Sequence, residues 1–204
     1  GAYNIAFALT LTGDLDVDAL GGALHHVVDR HEPLRTVYPD HDGIADMHIL
    51  DAAQACPELN VTTVTSDEWS TQATQFAATG FDLTADPPIR AALHHITDHG
   101  EDDKTAEHRL TIVIHHIAAD GFSMAPLARD LADAYTDLVA GSAPRQAPLS
   151  LTYRDHMARQ REVIADRGAV DWWVAELADV DFSPVLVEDG PDMPGRSGAA
   201  SVTR

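Results

Sequence analysis

Basic side chains are scarce in this chain: 13 Lys and Arg stand against 33 Asp and Glu, a formal net charge of -20. Affinity for nucleic acid comes largely from cations that neutralise phosphates, so little here would serve a nucleic-acid partner, and attachment to anionic lipid is disfavoured for the same reason. The acidic excess reads as a solubilising surface or as charge that steers a partner. Cysteine is nearly absent. The single Cys56 excludes an internal disulfide and fits a reducing cytoplasm. No apolar run approaches the ~20 residues needed to span a bilayer. The opening GAYNIAFALTLTG also lacks the basic region that precedes the apolar stretch of a secretory signal. No repeat recurs at a fixed period.

What is present suits one sizeable domain or one lobe of a larger one: 204 residues, of which 45% are hydrophobic and 23% charged. A chain of this length buries roughly 70% of its unfolded surface, enough for a core without staples. Tyr3, Ile5, Phe7, Leu9 and Leu11 alternate as one face of a strand that Gly13 ends. Asp14, Asp16 and Asp18 crowd the start of a helix over 17–31 that buries Val17, Leu20, Leu24, Val27 and Val28. Strands are expected over 34–38, 44–50, 61–65, 89–96 and 109–116. A helix capped by Ser66 should turn Trp69, Ala73, Phe76 and Ala77 inward. The polar tract 97–107 reads as a hairpin loop. The strand after it is apolar on both faces, as central strands are. Ser123 is the expected N-cap of a helix whose stripe is Met124, Leu127, Leu131, Tyr135 and Leu138, and two further helices follow over 152–165 and 170–177. The whole predicts an α+β fold, a mostly antiparallel or mixed sheet with helices packed on it.

The stretch that carries chemistry is His115-His116-Ile117-Ala118-Ala119-Asp120-Gly121. Strand alternation puts the two histidines on opposite faces, so they cannot share a task. One should be held in the fold while the other faces a cleft at the strand's end. An imidazole titrates near neutrality and can take and return a proton at pH 7, as amine attack on an activated acyl group requires. Asp120 suits a loop-tying carboxylate, and Gly121 suits a chain reversal. Paired histidines are common here, at 25–26 and 94–95 as well, and His94-His95-Ile96-Thr97-Asp98 imitates the pattern with its aspartate one residue early. No spacing of the 12 histidines offers three metal ligands convincingly.

The arrangement resembles the condensation domains of nonribosomal peptide synthetases, marked by HHxxxDG. Arg30-His31-Glu32-Pro33-Leu34-Arg35-Thr36-Val37-Tyr38 is similar to the family's RHExLRTxF block. Tyr3-Asn4-Ile5, Gly13-Asp14-Leu15-Asp16, Phe81-Asp82-Leu83, Pro87-Pro88-Ile89-Arg90, Tyr153-Arg154-Asp155 and Asp171-Trp172-Trp173 resemble flanking segments in the same order.

The resemblance implies a chloramphenicol-acetyltransferase-like lobe, one of two that form a V around the active site. It assigns 1–180 to the N-terminal lobe and 181–204 to a crossover toward a C-terminal lobe outside this chain. The implied reaction is amide formation between a carrier-bound acyl or peptidyl thioester and a carrier-bound aminoacyl group. Upstream and downstream carrier proteins and the C-terminal lobe are the implied partners. Their phosphopantetheine arms carry the substrates, and no intrinsic cofactor or metal is implied.

His116 matches the catalytic histidine, as general base, positioning group or stabiliser of the tetrahedral intermediate; His115 matches a structural one. Asp120 is expected to pair with Arg35. Gly121 is expected to serve backbone geometry or to offer its N–H to the acyl oxygen. A coenzyme A-dependent acyltransferase and a noncatalytic carrier-docking module are the alternatives. An epimerisation domain would share the histidine motif, and a heterocyclisation domain would replace its histidines with aspartates.

Overall fold

The computed structural model describes residues 2–98, 106–165 and 167–180. The chain divides into two compact units, 1–159 and 160–204, and the sheet belongs wholly to the first. The expected crossover over 181–204 lies outside the described residues.

Strand β1 (Asn4–Thr12) keeps Ile5, Phe7, Leu9 and Leu11 half-buried while the residues between them are exposed. Helix α1 (Val17–Arg30) begins where the Asp16 carboxylate accepts the Ala19 N–H at 2.9 Å, and it buries Leu20, Leu24, Val27 and Val28 with Ala19 and Ala23. A single 3-10 turn, Glu32–Arg35, follows, so the strand expected from Leu34 begins only at β2 (Thr36–Val37). Pro33 explains the difference, because its fixed φ favours a first helical turn over extended chain. The expected strand over 44–50 is likewise broken. Strands β3 (Asp40–His41) and β4 (Ile44–Ala45) form a hairpin, while β5 (His48–Ile49) pairs with β2.

After α2 (Ala52–Ala55) and β6 (Val61–Val64) comes α3 (Ser66–Ala78). Its cap is Thr65, not Ser66. Thr65 Oγ1 accepts the Glu68 N–H at 3.3 Å and the Glu68 carboxylate accepts the Thr65 N–H at 2.8 Å, a reciprocal pair that satisfies two free donors. Ser66 instead bonds Asp98. Strands β7 (Ile89–Ile96) and β8 (Glu107–His115), then helices α4 (Met124–Val139), α5 (Tyr153–Ala165) and α6 (Gly168–Glu176), complete the order.

The main sheet runs β1-β8-β7-β6, antiparallel except for the parallel β6–β7 pair. Strand β8 is therefore interior, and its Leu110, Thr111, Ile112, Val113 and Ile114 are all buried. One face packs on α1 and α4 through Leu24, Val27, Leu127, Leu131, Ile112 and Ile114. Each such side chain contributes about 1.5–3 kcal/mol when fully buried. Gly22 lets the two helices approach, since a Cβ there would stand 3.1 Å from Leu138 Cδ1. The other face carries α3, whose Trp69 indole donates to Thr111 Oγ1 at 3.3 Å under the Arg109 guanidinium. Register sets His115 opposite Asn4 and Ile114 opposite Ile89, so both neighbours of β8 begin beside its C-terminus.

Candidate active site

Strand β8 stops at His115, and His116 opens the turn that follows. The His115 N–H donates to Pro88 O at 2.9 Å, and the His116 N–H donates to Tyr3 O at 2.8 Å. The ends of β7 and β1 thus grip successive residues from opposite sides. His115 is half-buried. Its Nδ1 accepts the Ile117 N–H at 3.1 Å, which leaves the neutral ring's proton on Nε2. The Phe81 and Tyr3 rings lie 6.1 Å away, Phe81 edge-on. Burial, with His116 close by, holds the His115 imidazole below its ordinary value, so it stays neutral at pH 7. The His116 side chain is exposed, with Ile117, Tyr3 and Phe122 as apolar, solvent-facing groups at the same end of the sheet. Of the two histidines, His116 is exposed and His115 is half-buried.

Asp120 and Arg35 do not meet. Asp120 Oδ1 accepts the Ser123 N–H at 3.0 Å and the Ser123 hydroxyl at 2.7 Å, while Ser123 Oγ accepts the Asp120 N–H at 3.1 Å. Hydrogen bonds from the Ser123 side chain and backbone hold this carboxyl below the usual carboxylate range. A short polar side chain closing its own turn is what aspartate does readily, and four residues suffice. Arg35 lies at the end of the 3-10 turn and donates to Leu50 O at 2.6 Å and to Asp29 O at 3.2 and 3.3 Å.

Two further expectations hold in position, since Ser123 is the N-cap residue of α4 and Gly121 lies in the turn, but the local chemistry differs. Ser123 stands at the start of α4 with helical φ and ψ, but its hydroxyl serves Asp120, not a helix N–H. Gly121 is not among the glycines at positive φ, which are Gly13, Gly43 and Gly141 among the described residues. A Cβ on Gly121 would meet nothing within 4 Å. The missing side chain leaves open space beside the turn.

The ion pair of the Arg30–Tyr38 block is Arg30 with Asp130 of α4, Nε to Oδ2 at 3.0 Å, joined by His31 Nε2 at 2.9 Å on the same oxygen. Asp130 is 6% exposed. Burial pushes its carboxyl up, but hydrogen bonds from His31 and Arg30 outweigh that and hold it below the usual range. Sequence reading missed Asp130. Its signal was an acid on the inner stripe of α4, beside Leu127, Leu131 and Ala134. This cluster braces two cavities that share His31 and Pro33. One, of about 350 Å³, lies under the motif turn against Ala118, Phe122 and Ser123. The larger, of about 630 Å³, lies between the end of α1 and residues 146–156, away from His116. Size does not choose the site; His116 belongs to neither lining, and its chemistry faces outward.

The condensation-domain family model matches residues 1–178. This chain belongs to the condensation-domain family. It is 42% identical over 164 residues to a dimodular nonribosomal peptide synthase of Bacillus subtilis, covering 80% of this chain and 7% of that protein. It is also 42% identical over 167 residues to an isonitrile lipopeptide synthase of Mycobacterium tuberculosis, covering 80% of this chain and 6% of that one. The crystal structure of the X-domain from teicoplanin biosynthesis superposes with a TM-score of 0.76 at 35% identity, over 88% of this chain and 39% of that chain. The chain thus spans less than a tenth of the length of these two curated relatives. Solved starter condensation domains among its structural neighbours share this α+β fold, with TM-scores of 0.73 and 0.72 at 20% identity.

Proposed function

We propose that this condensation-domain chain is the N-terminal lobe of an amide-forming acyltransferase, with His116 at the reacting centre. The observation that carries the reading is the exposed His116 imidazole, fixed by its backbone at the end of the interior strand while His115 is turned inward. In the proposed reaction the amine nitrogen of a carrier-bound aminoacyl group attacks the carbonyl carbon of a carrier-bound acyl or peptidyl thioester. The C–N bond forms and the C–S bond breaks. His116 takes the proton that the nitrogen loses and returns it to the departing sulfur of the donor's phosphopantetheine arm. Both arms belong to the carrier partners. The open space over Gly121 gives the reacting groups room beside the imidazole.

A noncatalytic docking role is the second reading, favoured by the 35% identity to the teicoplanin X-domain, which has also been solved in complex with OxyB. The intact His115-His116-Ile117-Ala118-Ala119-Asp120-Gly121 favours catalysis. The deciding experiment incubates the intact parent domain with two loaded carrier proteins and weighs the downstream carrier by mass spectrometry. Product from the wild type that vanishes in a folded His116→Ala variant is the expected result. Equal product from both would remove His116 from the chemistry, and no product from either would favour docking.

A further inference from the structure

The C-terminus of α3 is held from the side. Asn4 Nδ2 donates to the carbonyls of Ala77 at 2.8 Å and Thr79 at 2.7 Å. Arg90 donates through Nη2 to Thr79 O at 2.6 Å and through Nη1 to Gly80 O at 3.1 Å. The last carbonyls of a helix have no partner in its own ladder and carry partial negative charge, so an amide and a guanidinium suit them. Thr79 ends α3 in extended backbone with no left-handed glycine cap, so these two side chains fill that role.

The same guanidinium is stacked. Its central carbon lies 4.0 Å from the Phe81 ring centroid and 5.4 Å from that of Phe76. The far side of this contact is the site, because the Phe81 ring meets His115 edge-on at 6.1 Å. His115 in turn receives the Ile117 N–H on Nδ1, which sets the first peptide of the turn after His116. Asn4 sits opposite His115 in the β1–β8 register, and Arg90 sits opposite Val113, two residues before His115, on the other side of β8.

We propose that Arg90 is a positioning residue for the His116 turn: by capping α3 and stacking on Phe81 it seats that ring against His115, and His115 shapes the turn. The proposal rests on the reading of His116 given above. It also explains why the residue is an arginine. Two carbonyls are reached from two separate nitrogens while the flat face lies on a ring, which a lysine ammonium cannot reproduce. The Arg90 Nε is buried without a partner, so hydrogen-bond satisfaction alone does not account for the choice.

The test is an NMR titration of the His115 imidazole in the wild-type chain and in Arg90→Lys and Phe81→Leu variants, with melting curves for each. The intact parent domain is assayed for amide formation in parallel. Arg90→Lys keeps the charge but loosens the ring, so water reaches His115 and its midpoint rises toward the ordinary value of about 6.5. Phe81→Leu gives the same rise. Loss of placement should lower kcat by about tenfold to a hundredfold in both, with KM little changed. An unmoved His115 midpoint in both variants overturns the proposal, and so does a rise in Arg90→Lys alone. Should Arg90→Lys fail to fold, Arg90→Gln is titrated in its place, and a rise in Phe81→Leu alone also overturns the proposal. The titration needs no substrate. A wild-type parent domain that forms no amide would sink the functional reading while leaving the titration to judge Arg90.

Discussion

Replacing Asp130 with asparagine keeps the shape of the α1–α4 junction and removes its charge. In the wild type one carboxylate oxygen receives Arg30 Nε at 3.0 Å and His31 Nε2 at 2.9 Å, at a position 6% exposed, with Arg30 itself 16% exposed. Hydrogen bonds to charged groups are worth about 1.5–3 kcal/mol each, and an amide oxygen can keep one of the two at neutral strength, near 1 kcal/mol. Arg30 also retains its Nη1 bond to Ala147 O at 2.6 Å, so its charge is not wholly stranded. The expected cost is about 2–4 kcal/mol, close to the ~3–5 kcal/mol typical of breaking a buried pair from one side. Urea denaturation followed by circular dichroism, with wild type and Asp130→Asn run together at pH 7, measures it. The double variant Arg30→Met/Asp130→Leu should recover much of the loss, because apolar replacement of both partners removes the stranded charge. If Asp130→Asn unfolds within about 0.5 kcal/mol of wild type, the range expected of an ordinary surface change, the account of this cluster is wrong.

Three further outcomes follow from the same geometry. Gly121→Ala should fold with stability within about 0.5 kcal/mol of wild type, since its Cβ meets nothing, yet lose amide formation by crowding substrate beside His116; undiminished product would show the space to be idle. Burial lowers the imidazoles of His94, His108 and His115. Their folded values lie below the unfolded one, so the unfolded chain binds protons first and stability should fall as pH drops below about 6.5. A urea midpoint that is no lower at pH 5.5 than at 7.5 would contradict this. Leu110→Ala, at a fully buried position of the interior strand, should cost about 2–5 kcal/mol in the same unfolding assay, and a cost under 1 kcal/mol would mean that the sheet repacks freely.

Elements whose pattern comes from burial were legible in the sequence. Strand β7 falls on the residues its apolar run marks, and β8 lies inside the sheet as a strand apolar on both faces should. Helix α1 buries its expected stripe except for a half-buried Val17, and α4 buries Leu127 and Leu131 with Met124, Tyr135 and Leu138 half-buried. The half-buried residues of α3 include the four expected to turn inward, Trp69, Ala73, Phe76 and Ala77. Local polar chemistry was harder to read. Thr65 and Ser66 are equally good caps on paper, and the reach of the Glu68 side chain back to Thr65 decides between them. Arg35 was assigned to Asp120 by position in a motif, whereas a carboxylate takes whichever donors lie within 3 Å, and Ser123 supplies two. The Arg90–Phe81–His115 contacts join residues far apart in sequence through side-chain stacking, for which linear spacing carries no signal.

The β1–β8 pairing has a consequence for how the chain is made. Ile5 meets Ile114 across this ladder, so β1 leaves the ribosome about a hundred residues before β8, its only sheet partner among the described residues. At about 5–20 residues per second, that is roughly 5–20 s during which nine residues of alternating apolar strand wait with both edges open. The histidine-bearing strand is the piece that ends the wait. Its arrival brings Asn4 opposite His115 and places the His116 N–H on Tyr3 O. In a nascent chain, closing the sheet and assembling the site are therefore one event.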